Sequence, residues 1–489
     1  MLNFFKRISF KWYLSLSCFL LLLLGIYSYY TSNYLYTYTI FFVGFIFLIF
    51  SQFVANKGQL YKLLFFIIPL SVGITLVGDS QMQLPTEPII GIFTLILLFN
   101  LFSLKNDLKI LIQNPITILL FAEVIWMLIC SITSELISVS LKYTFIRFCY
   151  VSAFFTLGFL WLKKEQKPYL LYFIYAVGLI LPIINGLIFH AQFGFSQKTA
   201  YVMPKPFYND HTEYGACIAF ILPALLAFNF NRSKYSEGKF FKVFTPLILF
   251  LLFVAEYLSF SRASWLSLAV ALVFYILLQL RISGKQFLAL LFTSAIVVLF
   301  NYDTIVTNLE DNKAISNKED LEQQVKSITN VTSDVSNKER VNRWNCAIRM
   351  GNNKPVFGYG PRTYKFFYGD FQAKEDMNYT STYTGNKGNA HSDYLSYFAE
   401  TGYIGFAIHL LLYIVILYQG INTINICKDS KNKSIATVAL LGLTTYFVHG
   451  IFNGFMDEEK MASLVFISMA ILVYVKHIEN DTKQDEKTL

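Results

Sequence analysis

Apolar runs of 17–22 residues recur along the chain, separated by short breaks rich in charge or turn residues. A run of that length crosses a bilayer core of about 30 Å as a helix. The pattern predicts about fourteen (12–14) transmembrane helices, near residues 12–30, 36–55, 62–79, 88–104, 115–133, 142–162, 168–190, 213–230, 243–260, 263–280, 286–301, 403–424, 434–452 and 460–476. Between Asp303 and Gly402 the rhythm breaks, and no spanning run occurs. The expected architecture is an all-α polytopic membrane protein. It comprises a transmembrane bundle over 1–301, a large, partly helical loop over 302–402, C-terminal transmembrane helices over 403–476 and a tail over 477–489.

Composition agrees: of 489 residues, 55% are hydrophobic and only 15% charged, where a soluble domain carries about a quarter charged. Lys6, Arg7 and Lys11 ahead of the apolar stretch Trp12–Tyr30 resemble the first two regions of a signal peptide. No small-residue cleavage site follows, so the segment reads as a retained first helix. The six cysteines are scattered and offer neither a disulfide framework nor a zinc pattern. The net charge of +9 falls on short connections, which argues against a nucleic-acid partner.

The placing of that charge sets an orientation. Every second connection is basic, among them Lys57/Lys62, Lys105/Lys109, Lys163/Lys164/Lys167, Arg281/Lys285 and Lys428/Lys431/Lys433, while the alternate connections 31–35, 79–87 and 134–141 are poor in Lys and Arg. By the positive-inside rule the N-terminus and tail are cytoplasmic and the large loop faces away from the cytoplasm. Lys142, Arg147 and Arg262 break the rule by standing at outer span ends. They either snorkel to lipid headgroups or serve function, and Glu123 is a candidate partner for one of them.

Within the loop, Leu321, Val325 and Ile328 give Asn312–Ser336 a helical spacing. Lys338–Met350 reads as a second helix, stopped by Gly351 and Pro355, with Arg340, Trp344, Ala347 and Ile348 on one face and Arg343 beside Arg340. Gly358-Tyr359-Gly360-Pro361 is a tight turn, whose glycines permit close backbone approach to a ligand. Phe371–Lys387, rich in Tyr and Thr, reads as a mobile segment suited to sugar contact or to acting as a lid. His391 falls at the start of a helix running to Thr401 and stopped by Gly402; there the dipole disfavours imidazolium, and a neutral imidazole can act as a general base. Asp393 either orients that ring or complements the dipole. The outward cluster Asn209-Asp210-His211-Thr212-Glu213 either caps a helix or lines the same cavity, and Asn453 and Asp457 are weaker candidates. The six histidines show no metal-ligand spacing, and no phosphate-binding glycine loop is present.

At these residues the chain resembles the O-antigen ligase/polymerase superfamily of bacterial envelope enzymes. The resemblance is carried by Arg340 and Trp344, by Pro355, Gly358 and Gly360, and by His391 and Leu395 with Glu400, Gly402 and Gly405; Ser261-Arg262 and Asn209 match further family positions. It covers roughly residues 200–475, and Ser392 stands where Asn is commoner. It implies a fold similar to the metal-independent C-type glycosyltransferases. The implied reaction is inverting transfer of a glycan from a polyprenyl-diphosphate carrier to an acceptor hydroxyl at the periplasmic face of the inner membrane, without metal, nucleotide sugar or cofactor. The acceptor is lipid A-core in the favoured case, a ligase; a second lipid-linked glycan or a protein hydroxyl are the alternatives. His391, Arg262 and Arg340 are the expected catalytic residues. Arginine suits a leaving diphosphate because it binds phosphate oxygens bidentately. Arg147, Arg343, Lys142, Asn209, His211, Glu213, Trp344, Gly358, Gly360 and Asp393 are expected around the substrate, with His391 and Arg340 meeting Arg262 and Arg147. A lipid-linked sugar transporter is the reading from another class. It would gather ionisable residues near the midplane and show internal repeats, and neither is visible here.

Overall fold

Eight helices are long and apolar enough to cross a membrane, or up to nine if a bent pair counts as one span, among the residues that the computed structural model describes: 57–75, 81–230, 239–301, 335–377, 381 and 388–488. The eight are α4 (Pro115–Ile132), α5 (Ile137–Glu165), α6 (Pro168–Gln192), α7 (His211–Phe230), α9 (Arg262–Gln279), α12 (Asp393–Ile426), α13 (Ser430–Phe452) and the apolar part of α14 (Glu459–Thr488). The other helices include α1 (Lys57–Ile67), α2 (Thr86–Asn100), α3 (Lys105–Ile112), α8 (Lys239–Leu258), α10 (Gly284–Phe300) and α11 (Val335–Asn353). The chain is thus mostly helical and has the character of a multi-pass membrane protein. The expected spans 12–30 and 36–55 and the expected helix in Asn312–Ser336 lie outside the described residues, except for the last two residues of the latter, which begin α11.

Local chemistry explains where helices start. Asn114 caps α4 by accepting from Ile116 N, with Pro115 at the first helical position; Asp429 caps α13 through Asn432 N, and Ser392 caps α12 through Leu395 N. Two expected spans are corrected. The run 62–79 is not one helix: α1 ends at Ile67, Pro69 sits in a single 3₁₀ turn, and Val72–Thr75 pairs antiparallel with Gln81–Leu84. Proline removes a helix donor, and Val, Ile and Thr favour a strand. The run 88–104 is helical only to Asn100, and the chain then bends by 107° into α3, where the Asn100 and Ser103 side chains donate to the carbonyls of Ile96 and Asn100.

α14 is the axis of the bundle. Every residue from Met461 to Val475 is buried, as a helix apolar on all sides must be, and it packs on α13 and on the middle of α5. α9 is the least buried of the eight long helices. It turns Ser264, Ser267 and Ala271 inward and leaves Leu272, Val273 and Ile276 exposed, giving close small-residue packing on one side and a lipid-type surface on the other. Glu123 of α4 takes none of the expected cationic partners: His409 Nδ1 of α12 lies 2.8 Å from its Oε1, and both side chains are buried.

The segment after α11 is fastened to the bundle by backbone. Tyr359 N and Gly360 N donate to the carbonyls of Ala399 (3.0 Å) and Glu400 (2.9 Å), and Tyr403 N donates to Pro355 O (2.8 Å). Gly358 and Gly402 have φ of +65° and +69°, and a Cβ on either would lie 2.3 and 2.4 Å from facing backbone atoms. Gly402 breaks α12 with non-helical angles, so the expected stop after Thr401 becomes a kink and the chain continues as a span. Gly358→Ala should therefore cost about 2–4 kcal/mol from the strained φ and the backbone overlap. Thermal unfolding of the purified protein measures this; an unchanged midpoint would refute the contact.

Candidate active site

His391 stands in the turn that leads into α12, and three contacts hold it. Its N donates to Asn389 Oδ1 (3.1 Å), its carbonyl accepts from Trp344 Nε1 (3.3 Å), and Arg343 Nη1 donates to the Asn389 carbonyl (3.0 Å). Its φ is +49°, a left-handed conformation that costs a side-chain-bearing residue roughly 1–2 kcal/mol. Helix α11 supplies the props. Arg343 is itself fixed by Glu339 (2.9 Å) and lies over the Tyr368 ring at 5.1 Å, and Tyr364 donates to the Arg343 carbonyl.

Two cavities meet at His391. The first, about 450 Å³, lies where α7 and α9 begin and α13 ends; Asp210, His211, Arg262, Arg340 and Asn453 line it with Phe260, Leu266 and Phe452. The second, about 470 Å³, is lined by Arg147, Arg343, Arg362, Lys365, Asp393, Glu400 and Asp457 with Tyr143 and Tyr397. His391 lines both. The expected single meeting point is thereby divided: Arg262 and Arg340 share one cavity, while Arg147 and Arg343 line the other.

The remaining expected residues sort by contact. Asn209 lines the first cavity. So does His211, whose Nδ1 lies 2.9 Å from the Ser259 carbonyl and Nε2 3.7 Å from Asp210 Oδ1. A carbonyl only accepts, so Nδ1 carries the proton and neutral His211 keeps its lone pair on Nε2. Glu213 is buried one turn into α7 and lines neither cavity. Lys142 is exposed beside Tyr143 and lines neither. Trp344 is half-buried and touches the His391 carbonyl, and Ile348, expected on its buried face, is exposed; α11 instead buries Asn342, Arg343, Cys346, Ala347 and Met350. Asp393 does not orient the imidazole: its carboxylate accepts from the Tyr446 hydroxyl. Gly358 and Gly360 approach Glu400 and Ser134 of the protein itself. The expected lid, Phe371–Lys387, is described only in part; Ser381 donates to Glu339 Oε2 (2.5 Å) and accepts from Asn342.

Sequence reasoning missed Arg362. Its Nη1 donates to Asp457 Oδ2 (3.0 Å), and Arg147 Nη2 donates to Oδ1 of the same carboxylate (2.8 Å). Nothing in the pattern separates Arg362 from a surface arginine, although it follows the Gly-Tyr-Gly-Pro turn directly. Glu400 is also explained: its carboxylate accepts from Arg362 N and Tyr364 N, closing the turn.

Burial, then the positive charges of Arg343 and Arg340, push His391 down to about 4, against the opposing pull of Asp210 and Glu339. The ring is therefore neutral at neutral pH, with a lone pair available. Burial would raise Asp457, but Arg362 and Arg147 hold it below the usual carboxylate range. Among the described residues no group of three or more His, Cys, Asp or Glu is placed to hold a metal ion.

Fold and site together define a helical membrane protein with an arginine-rich polar site around His391, which lies just ahead of α12. The family model described as O-antigen ligase matches residues 247–410, about a third of the chain. The match supports the O-antigen ligase superfamily and, broadly, glycan transfer of the ligase and polymerase type on lipid-linked glycans. The matched stretch contains Arg262, Arg340, Trp344, Gly358, Gly360, His391 and Asp393; Arg147, Asn209 and His211 precede it. No curated protein matches the chain.

A base at His391 is lost only when it takes up a proton. The acid limb of kcat/KM should therefore fall near about pH 4, not near the ordinary 6.5. Arg343→Gln removes a repelling cation and should move the limb to higher pH. A pH–rate profile with a midpoint at 6.5 in both proteins would contradict the electrostatics.

Proposed function

We propose that the chain transfers a glycan from a polyprenyl-diphosphate carrier to an acceptor hydroxyl at the periplasmic face of a bacterial inner membrane, with ligation of O-antigen to lipid A-core as the favoured case. The position of His391 between two cavities, one of them holding Arg262 and Arg340, supports this reading more than any other observation. A transferase of this type needs a seat for a donor, a seat for an acceptor, and a base that reaches both.

The donor occupies the first cavity. Its diphosphate lies against Arg262 and Arg340, and its lipid leaves past Phe260 and Leu266 along the exposed face of α9. The acceptor hydroxyl comes from the second cavity and gives its proton to His391 as its oxygen forms the new bond to the anomeric carbon. The bond from that carbon to the diphosphate breaks on the opposite face, so the configuration inverts and the diphosphate keeps the electron pair. The two guanidiniums stabilise that growing charge; fixed donors of this kind are worth about 3–4 kcal/mol each. General-base help adds typically about 10²–10⁴-fold.

His391→Ala and Arg262→Ala should each lower transfer by at least about 10²-fold at unchanged membrane levels. Near-normal transfer by both would refute the mechanism. The lipopolysaccharide of a deletion strain identifies the acceptor: bare core with free lipid-linked polymer for a ligase, core with single repeats for a polymerase, and normal lipopolysaccharide with unglycosylated protein for transfer to protein.

A further inference from the structure

Arg147 is only 2% exposed, yet its guanidinium is not satisfied by the protein around it. Nη2 donates to Asp457, while Nε and Nη1 are buried with no hydrogen-bond partner among the described residues. Burying an unanswered donor is costly, the more so on a charged group. Each carboxylate lining the second cavity already holds a partner. Asp457 gives one oxygen to Arg147 and the other to Arg362, Glu400 serves two backbone N–H groups, and Asp393 takes the Tyr446 hydroxyl. Glu123 is engaged by His409. Arg147 lines this cavity with two donors unanswered, and each carboxylate there already holds a partner. What completes it is an acceptor-rich anion brought by a ligand, and a guanidinium answers a carboxylate or a phosphate best.

We infer that the second cavity is an acceptor subsite for a sugar bearing a carboxylate or phosphate, with Arg147 holding the oxyanion while the attacking hydroxyl turns toward His391. This rests on the transferase reading above and adds to it the chemistry of the acceptor and a residue outside the matched family stretch.

Binding to the full chain in lipid nanodiscs tests it, with glucuronate, glucose 6-phosphate and neutral glucose as sugar probes and farnesyl diphosphate as the donor headgroup probe. One of the two anionic sugars should bind about tenfold or more tighter than glucose, as a charged hydrogen bond implies. Which one it is distinguishes carboxylate from phosphate. Saturating farnesyl diphosphate should leave that binding in place. Arg147→Gln should erase the preference, whereas Arg262→Gln should weaken only farnesyl diphosphate. Equal binding of glucose, or displacement of the anionic sugar by farnesyl diphosphate, would overturn the subsite. The wild-type competition decides the matter even where Arg147→Gln fails to fold. Farnesyl diphosphate binding that depends on Arg262 would meanwhile leave the donor reading standing, and its independence of Arg262 would remove that reading instead.

Discussion

Gly358 and Gly402 allow two stretches of backbone to lie closer than any side chain would permit, and the position of His391 follows from that contact. The hydrogen bonds from Tyr359 and Gly360 to the carbonyls of Ala399 and Glu400 fix the first two turns of α12 against the turn that follows α11. Trp126 of α4 donates to the Thr401 carbonyl, and Ser134 donates to that of Tyr359, so the bundle grips both halves of the clasp. His391 lies just ahead of α12; Trp344 holds its carbonyl and Arg343 that of Asn389 from the other side. The turn Gly358–Pro361 is thus tied to the bundle by backbone and side-chain hydrogen bonds.

The charges are arranged by the same geometry. α11 directs Arg340 into one cavity and Arg343 into the other, because side chains three apart on a helix lie near each other without pointing the same way. Burial first, and then both guanidiniums, keep His391 neutral. Asp457, between α13 and α14, joins Arg147 to Arg362 and so ties α5 to the loop. Losing the carboxylate would leave Arg147, 2% exposed, as a buried charge without its counter-ion, so Asp457 works as a joint between α5 and the segment after α11.

The helices were legible wherever apolar length was the whole story. α4, α6, α7, α9 and α13 begin and end within a few residues of the expected spans, because a run of some twenty apolar residues has few alternatives. The 62–79 run misled because hydropathy does not see Pro69 or the strand preference of Val72–Thr75. His391, Arg262 and Arg340 stood out by their places in short motifs, and the structure brings them to one cavity. The arginine partition was not legible: both residues were expected at outer span ends, whereas Arg262 opens α9 and Arg147 lies ten residues past the start of α5. The glycine turn looked like a ligand contact because positive φ and close approach read the same whether the neighbour is a substrate or Glu400. Arg362 and the Glu123–His409 pair depend on contacts more than 90 residues apart in sequence, which spacing does not reveal.

The central claim is that His391 divides a donor cavity from a second cavity. Electron cryomicroscopy of the full chain with a bound polyprenyl diphosphate tests it most directly. The account predicts diphosphate density within hydrogen-bond reach of the Arg262 and Arg340 guanidiniums, with the imidazole of His391 between it and the second cavity. Diphosphate density seated on Arg147 and Arg362, with none beside Arg262, would contradict it.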